Sequence, residues 1–175
     1  MKTMIKRKES SISLTLSNNK NFSFDEYSLA KKVLKRVLLI ENINKNVSVN
    51  ILVVSSYRIK CMNEKYRGID KVTDVLSFPN IELKKPGNLD EILESNKSLA
   101  YDYTSNSYFL GDIVICYDKL ISQSKKYGHS VKREFAFLIT HSMLHLIGYD
   151  HIKSKDEQRM INKQKQILDD LKIYR

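Results

Sequence analysis

Residues Val131 to about Ile147 are apolar on nearly every side. Phe135, Ala136, Phe137, Leu138, Ile139, Met143, Leu144 and Leu146 leave little polar face. A helix of that kind is stable only when surrounded, so it must be the central buried helix, and the rest of the chain must cover it. Ser130 caps its start, after a break at Gly128-His129. The chain has four histidines, and His141, His145 and His151 lie at or just past the end of this segment. His141 and His145, four apart, share one helix face one turn apart, so both imidazoles reach one ion. Gly148 follows where a helix would stop with a positive φ, and the reversed chain can bring His151 back to the pair. Three neutral imidazoles with an open fourth position are the ligand set of a catalytic zinc site.

The pattern H-x-x-x-H-x-x-G-x-x-H has the spacing of the metzincin proteases, with one difference. Those proteases place a Glu directly after the first histidine as general base. Here that position is Ser142, a poor base at neutral pH. The scaffold is protease-like and the protease base is missing, so another group handles protons or the reaction needs less base assistance. Glu134 lies on the stripe of the two histidines but about 10 Å of helix rise away, which assigns it to structural pairing.

A chain of 175 residues, 42% of them hydrophobic, suits one domain, residues 1–175, with a substantial core. No apolar run reaches the ~18 residues of a membrane span. Residues 1–8 are basic with no secretory apolar region after them, so no signal peptide is read and a cytoplasmic location is expected. Cys61 and Cys116 form no C-x-x-C motif and sit in apolar patterns. They read as buried free thiols that need no disulfide. The net charge of +10 favours polyanions, nucleic acid above all, although a Lys/Asn/Ile-rich composition also follows from genomic bias.

The remaining elements follow in order. Ser11 to Leu16 alternates, with Ile12, Leu14 and Leu16 on one side, and predicts a half-buried strand. Asp25 caps a helix to about Glu41 whose apolar face is Leu29, Ala30, Val33, Leu34, Val37 and Leu38. Its Lys31, Lys32, Lys35 and Arg36 form a solvated face. Val47 to Val54 is a second strand. Ser55 or Ser56 starts a short helix through about Lys65, and Asp74 to Phe78 is a short strand ended by Pro79. Residues 80–107 read as a long polar loop, mobile or partly ordered, with a turn at Pro86-Gly87-Asn88 and a helical turn within Asp90 to Ser95. Phe109 to Cys116 resumes as a strand, and Gly111-Asp112 inside it signals close approach of another backbone or a ligand. A helix follows from about Asp118, as cap, to Lys126. Ser154 to Glu157 is a capping box that opens a last helix to about Lys172, with Met160, Ile161, Ile167, Leu168 and Leu171 as its apolar stripe.

With these segments placed, the chain resembles the YbeY family of bacterial zinc-dependent endoribonucleases and rRNA maturation factors, over nearly its whole length. The signature H-G-x-L-H-L-x-G-Y-D-H is matched by residues 141–151 except at Ser142. The signature N-x-x-Y-R-x-x-D-x-P-T-D-V-L-S-F-P is matched by Asn63 to Pro79, including Tyr66, Arg67, Asp70 and Thr73 to Pro79, with Val72 in place of the usual Pro. Leu110 to Ile113 and Tyr127 to Ser130 are similar as well. The stretch 80–107 is longer than is usual in the family.

The resemblance implies an α+β fold: a mixed, roughly four-stranded sheet packed by helices, with a zincin-like central helix and zinc at one edge. It implies one Zn2+ per chain on His141, His145 and His151, and cleavage of single-stranded RNA. It also implies maturation of the small-subunit rRNA 3′ end, ribosome quality control, and contact with the ribosome or its small-subunit proteins. It points to Arg67 as a functional residue beside the metal. An arginine between two apolar segments ordinarily makes a structural salt bridge, here with Asp70 or Asp74; the resemblance favours a phosphate, which its fork grips in bidentate fashion. Asp150 is expected to orient a ligand, with the base role as the alternative. His129 is a reserve candidate for proton transfer, and Ser77 and Phe78 are candidates to line a substrate groove. The chain is expected to act as a monomer. Two other readings stay open: an assembly factor whose zinc is structural, and a zinc peptidase.

Overall fold

The central helix is where its composition requires it. In the computed structural model, which describes residues 12–17, 20–151 and 154–174, helix α6 spans Val131–Leu146, and Phe135, Ala136, Leu138, Ile139, Thr140, Ser142, Met143, Leu144 and Leu146 are all buried. Ser130 caps it by accepting from Arg133 N at 3.1 Å. The buried Thr140 hydroxyl donates to Ala136 O at 2.8 Å, which removes the cost of an unpaired polar group.

What covers α6 is a mixed sheet and three helices. Strands β1 (Ile12–Ser17), β2 (Val47–Val54) and β5 (Ser107–Cys116) run parallel, and β3 (Val75–Pro79) lies antiparallel to β5 at the sheet edge. A two-residue strand β4 (Tyr101–Asp102) pairs with the start of β5. Helix α1 (Glu26–Ile40) crosses from β1 to β2, and α1, α5 (Tyr117–Lys126) and α7 (Ser154–Asp170) pack on α6. Val47, Val49, Ile51, Val53, Val75, Tyr108, Leu110, Ile113 and Ile115 form the sheet's contribution to this main core. A smaller cluster of Val54, Leu76, Val114 and Cys116 lies on the other face, under Ile59 of helix α2 (Ser56–Arg67). The mixed α+β sheet of four principal strands is the architecture expected. The basic stretch 1–8 and the side chains at 12–16 lie outside what the structure describes.

Gly111 fulfils the expectation of close approach. Its φ is +142°, and an added Cβ would collide with Phe78 O and meet Leu146 Cδ2 at 3.0 Å. Strand β3 and helix α6 therefore close directly on the β5 backbone.

Three expectations are corrected. Residues 80–107 hold more than a polar loop with one helical turn: the turn expected within Asp90 to Ser95 is α3 (Leu89–Ser95), and α4 (Lys97–Ala100) and β4 follow it. Leu89, Leu93 and Ala100 join the main core, with Ile81 and Leu83 packed against it. Asp90 accepts from Asn44 N and Lys45 N at 3.0 and 3.1 Å, and Glu94 takes Lys45 and the Tyr108 hydroxyl at 2.5 and 2.7 Å. The Lys45 contact, with help from Tyr108, holds the Glu94 carboxyl down at about 2. Leu93→Ala is accordingly expected to cost ~2–4 kcal/mol in urea unfolding, whereas a bare loop position would cost ~0.5 kcal/mol or less. Second, Cys61 is exposed and only Cys116 is buried, because Cys61 falls on the outer face of α2. Third, Asp118 does not cap its own helix. It accepts from Ser56 N and Ser56 Oγ at 2.9 and 2.7 Å, tying α5 to the start of α2, and these bonds lower its pKa.

Candidate metal centre

Helix α6 ends at Leu146 and the chain reverses at Gly148, whose φ is +92°. Gly148 N and Tyr149 N donate to His145 O and Leu144 O at 3.0 and 2.9 Å, which satisfies orphan carbonyls of the last turn. The reversal brings His151 to the pair on α6. One ligand atom from each of His141, His145 and His151 lies within 4.8 Å of the others. The ring centroids stand 4.6, 5.1 and 5.6 Å apart.

The three imidazoles fit a tetrahedral ion. His141 Nε2 and His145 Nε2 are 3.1 Å apart. Two nitrogens at ~2.05 Å from one zinc in tetrahedral geometry are ~3.3 Å apart. The opposite ring atoms are held. His145 Nδ1 donates to Tyr149 O at 3.0 Å, which leaves Nε2 with its lone pair toward the site. His141 Nδ1 lies 2.8 Å from the side-chain amide of Gln164 on α7. The Gln164 atom placed there is Nε2; turning the amide by 180° presents its oxygen instead, which accepts the Nδ1 proton and frees Nε2 in the same way.

Charge state agrees with this role. Burial, then the neighbouring His145 and His151, pushes His141 down to about 4, against a smaller opposing pull from Asp74. Burial and His151 also lower His145, with Arg67 adding to the effect. Both rings are neutral at pH 7, the form that binds a metal.

Two anchoring residues were not anticipated from the sequence. Tyr149 is buried, its hydroxyl donates to Glu41 at 2.8 Å, Lys163 pairs with Glu41 at 2.9 Å, and the Arg159 guanidinium lies over the ring. This fixes the carbonyl that orients His145. Gln164 could have been found as the polar residue that interrupts the buried stripe Met160, Gln164, Ile167, Leu168. Gln164→Leu is expected to weaken metal binding ~10–100-fold while the protein stays folded, measured by competition with a chelator of known affinity.

Arg67 is the last residue of α2, exposed, next to Gly68 at φ +69°, and near enough to His145 to influence it. Neither salt bridge considered from the sequence is made. Asp70 pairs with Lys60 at 2.8 Å, and Asp74 accepts from Val75 N and Gln123 at 2.9 and 3.1 Å. Asp150 accepts from His151 N at 2.7 Å, so it shapes the turn that delivers His151. His129 is not at this site: its Nε2 is hydrogen-bonded to the buried Glu134 carboxyl near the start of α6, the structural pairing expected of Glu134. Ser142 is fully buried, and its hydroxyl has no hydrogen bond among the described residues. Phe78 packs partly on the smaller core and stacks edge-on with Tyr66.

Comparison with known proteins decides the lineage. The family model described as Endoribonuclease YbeY matches residues 13–172. The chain belongs to the YbeY family. Curated YbeY relatives include an endoribonuclease of Lachnoclostridium phytofermentans, 40% identical over 89% of this chain and 93% of its own length. One from Agathobacter rectalis is 43% identical over the same shares. A solution structure of a Thermotoga maritima protein aligns with a TM-score of 0.54 at 26% identity, covering 90% of this chain and 86% of that one. Among the described residues, no helix is long and apolar enough to cross a membrane.

Proposed function

We propose that the chain is a zinc-dependent endoribonuclease that cuts single-stranded RNA, with His141, His145 and His151 as metal ligands and Arg67 as the phosphate-binding catalytic residue. The carrying observation is the convergence of three imidazoles, two of them neutral by burial, beside an arginine with no carboxylate partner among the described residues. Family membership supplies the substrate class, since the relatives are named endoribonucleases.

A zinc ion bound there supplies Lewis acidity. The protein does the rest. Tyr149 O and Gln164 hold the two α6 rings with Nε2 inward. Arg67, always charged, grips the phosphate and neutralises charge as it builds on the phosphoryl oxygens. The net charge of +10 adds affinity for RNA backbone that falls as salt rises. The biological task is maturation of the small-subunit rRNA 3′ end and ribosome quality control, in the cytoplasm, with ribosomal small-subunit proteins as partners. Residues 1–175 act as one domain and as a monomer.

Cleavage of a single-stranded RNA by untagged protein of known metal content tests this reading. Arg67→Ala should retain its metal and lose ~100-fold in kcat. Unchanged cleavage would remove Arg67 from the site. Stoichiometric zinc in a wild type that cuts nothing would favour an assembly factor with structural zinc. No observation favours a peptidase.

A further inference from the structure

A cleft of about 360 Å³ opens on the sheet face that α2 only partly covers. That volume lies at the lower end of ligand pockets, which run from ~300 to 1,000 Å³. Leu52, Met62, Tyr66 and Phe78 give it apolar walls, and Asn50 and Asp112 are its polar groups. Tyr66 is 56% exposed. Its ring stands 5.2 Å from that of Phe78 at 69°, and the exposed Lys65 ammonium lies over it at 5.1 Å from the centroid, so a base that stacks there displaces a flexible, solvent-facing side chain. Asn50 Nδ2 donates to Asp112 Oδ1 at 2.9 Å. Asp112 Oδ2 and Asn50 Oδ1 have no partner among the described residues.

These features specify a ligand. A flat aromatic group fits beside Tyr66, because any base offers a π-face. A carboxylate on the β5 strand excludes a phosphate from the cleft and attracts hydrogen-bond donors. Tyr66 and Arg67 end α2 and point in different directions, so a nucleotide whose phosphate lies on Arg67 has to reach round the end of the helix to set its base in the cleft. We propose that the cleft binds a nucleobase flanking the scissile phosphate, stacked on Tyr66, with its donor edge toward Asp112 and Asn50. Guanine suits this best: its N1–H and N2 amino group are adjacent donors. Uracil suits it least, because its one ring N–H is flanked by carbonyls that face the acid. The inference rests on the ribonuclease reading for the placement of the phosphate.

NMR titration of the folded protein with GMP and with UMP tests the cleft without requiring cleavage. GMP should shift Tyr66, Phe78 and Asp112 resonances and bind roughly tenfold tighter than UMP. Tyr66→Ala should weaken both roughly tenfold. Asp112→Asn keeps the shape and can keep a bond to Asn50, and should erase the difference between the two. Shifts that bypass the cleft, or an unaltered GMP/UMP ratio in Asp112→Asn, overturn the proposal. A wild type that seats GMP in the cleft and cuts no RNA would sink the ribonuclease reading and leave the cleft. Cleavage that requires His145 while GMP shifts nothing in the cleft would sink the cleft alone.

Discussion

Replacing His145 by alanine should strip the protein of metal and take RNA cleavage to background. His145 has a ring nitrogen 3.1 Å from His141 Nε2, and its other ring nitrogen bonds the carbonyl of Tyr149. The substitution therefore deletes one of the three proposed ligands and releases the turn that presents His151. Two remaining imidazoles cannot hold a zinc ion against solvent at cellular concentrations, and a drop of at least ~1,000-fold in affinity is expected. Metal content by mass spectrometry, on protein purified without a metal-binding tag, gives the first readout. Cleavage of a single-stranded RNA gives the second. Wild type that is folded, active and metal-free would end the assignment of residues 141–151. Cleavage that persists in a metal-free His145→Ala protein would mark the nuclease as a contaminant.

Gly111→Ala is the second large effect, and it acts on stability. The backbone there has φ +142°, and the new Cβ would run into Phe78 O and press on Leu146. Backbone on the facing strand cannot swing away as a side chain can. The sheet must part at β3, the strand that α6 packs against. A loss of ~4 kcal/mol or more is expected, a large share of a domain's ~5–15 kcal/mol. Gly128→Ala makes the control: φ is +66°, but a Cβ there meets nothing within 4 Å, so only the backbone cost of ~1–2 kcal/mol applies. Urea midpoints of the two variants should differ accordingly. Equal midpoints would mean that β3 yields more readily than its packing indicates.

The histidine centre was legible because its logic is local. A four-residue spacing on a helix and a glycine three residues later fix where two rings point and where the chain turns. The sheet was legible for a related reason, since Val47 to Val54 and Phe109 to Cys116 carry β-branched residues in runs. Gln164 and Tyr149 were not, because their roles depend on which face of α7 meets α6 and on a carboxylate at the end of α1. Residues 80–107 misled for a third reason. Their core residues Leu89, Leu93 and Ala100 are few and set among polar neighbours, and the bonds that anchor them reach Asn44, Lys45 and Tyr108. Asn44 and Lys45 lie far back in the chain, 46 and 45 residues before Asp90, beyond any short window of sequence.

Gly148 carries a further consequence. A Cβ on it would come within 2.8 Å of both Leu83 Cβ and Lys85 O, so the turn between His145 and His151 rests directly on the backbone at 83–85. The two strips of chain must keep their spacing as a pair. Changes in length between β3 and β5 should therefore be better tolerated from Pro86 onward than before that contact. A deletion among residues 80–85 should then be felt as loosened metal, even though none of those residues touches it.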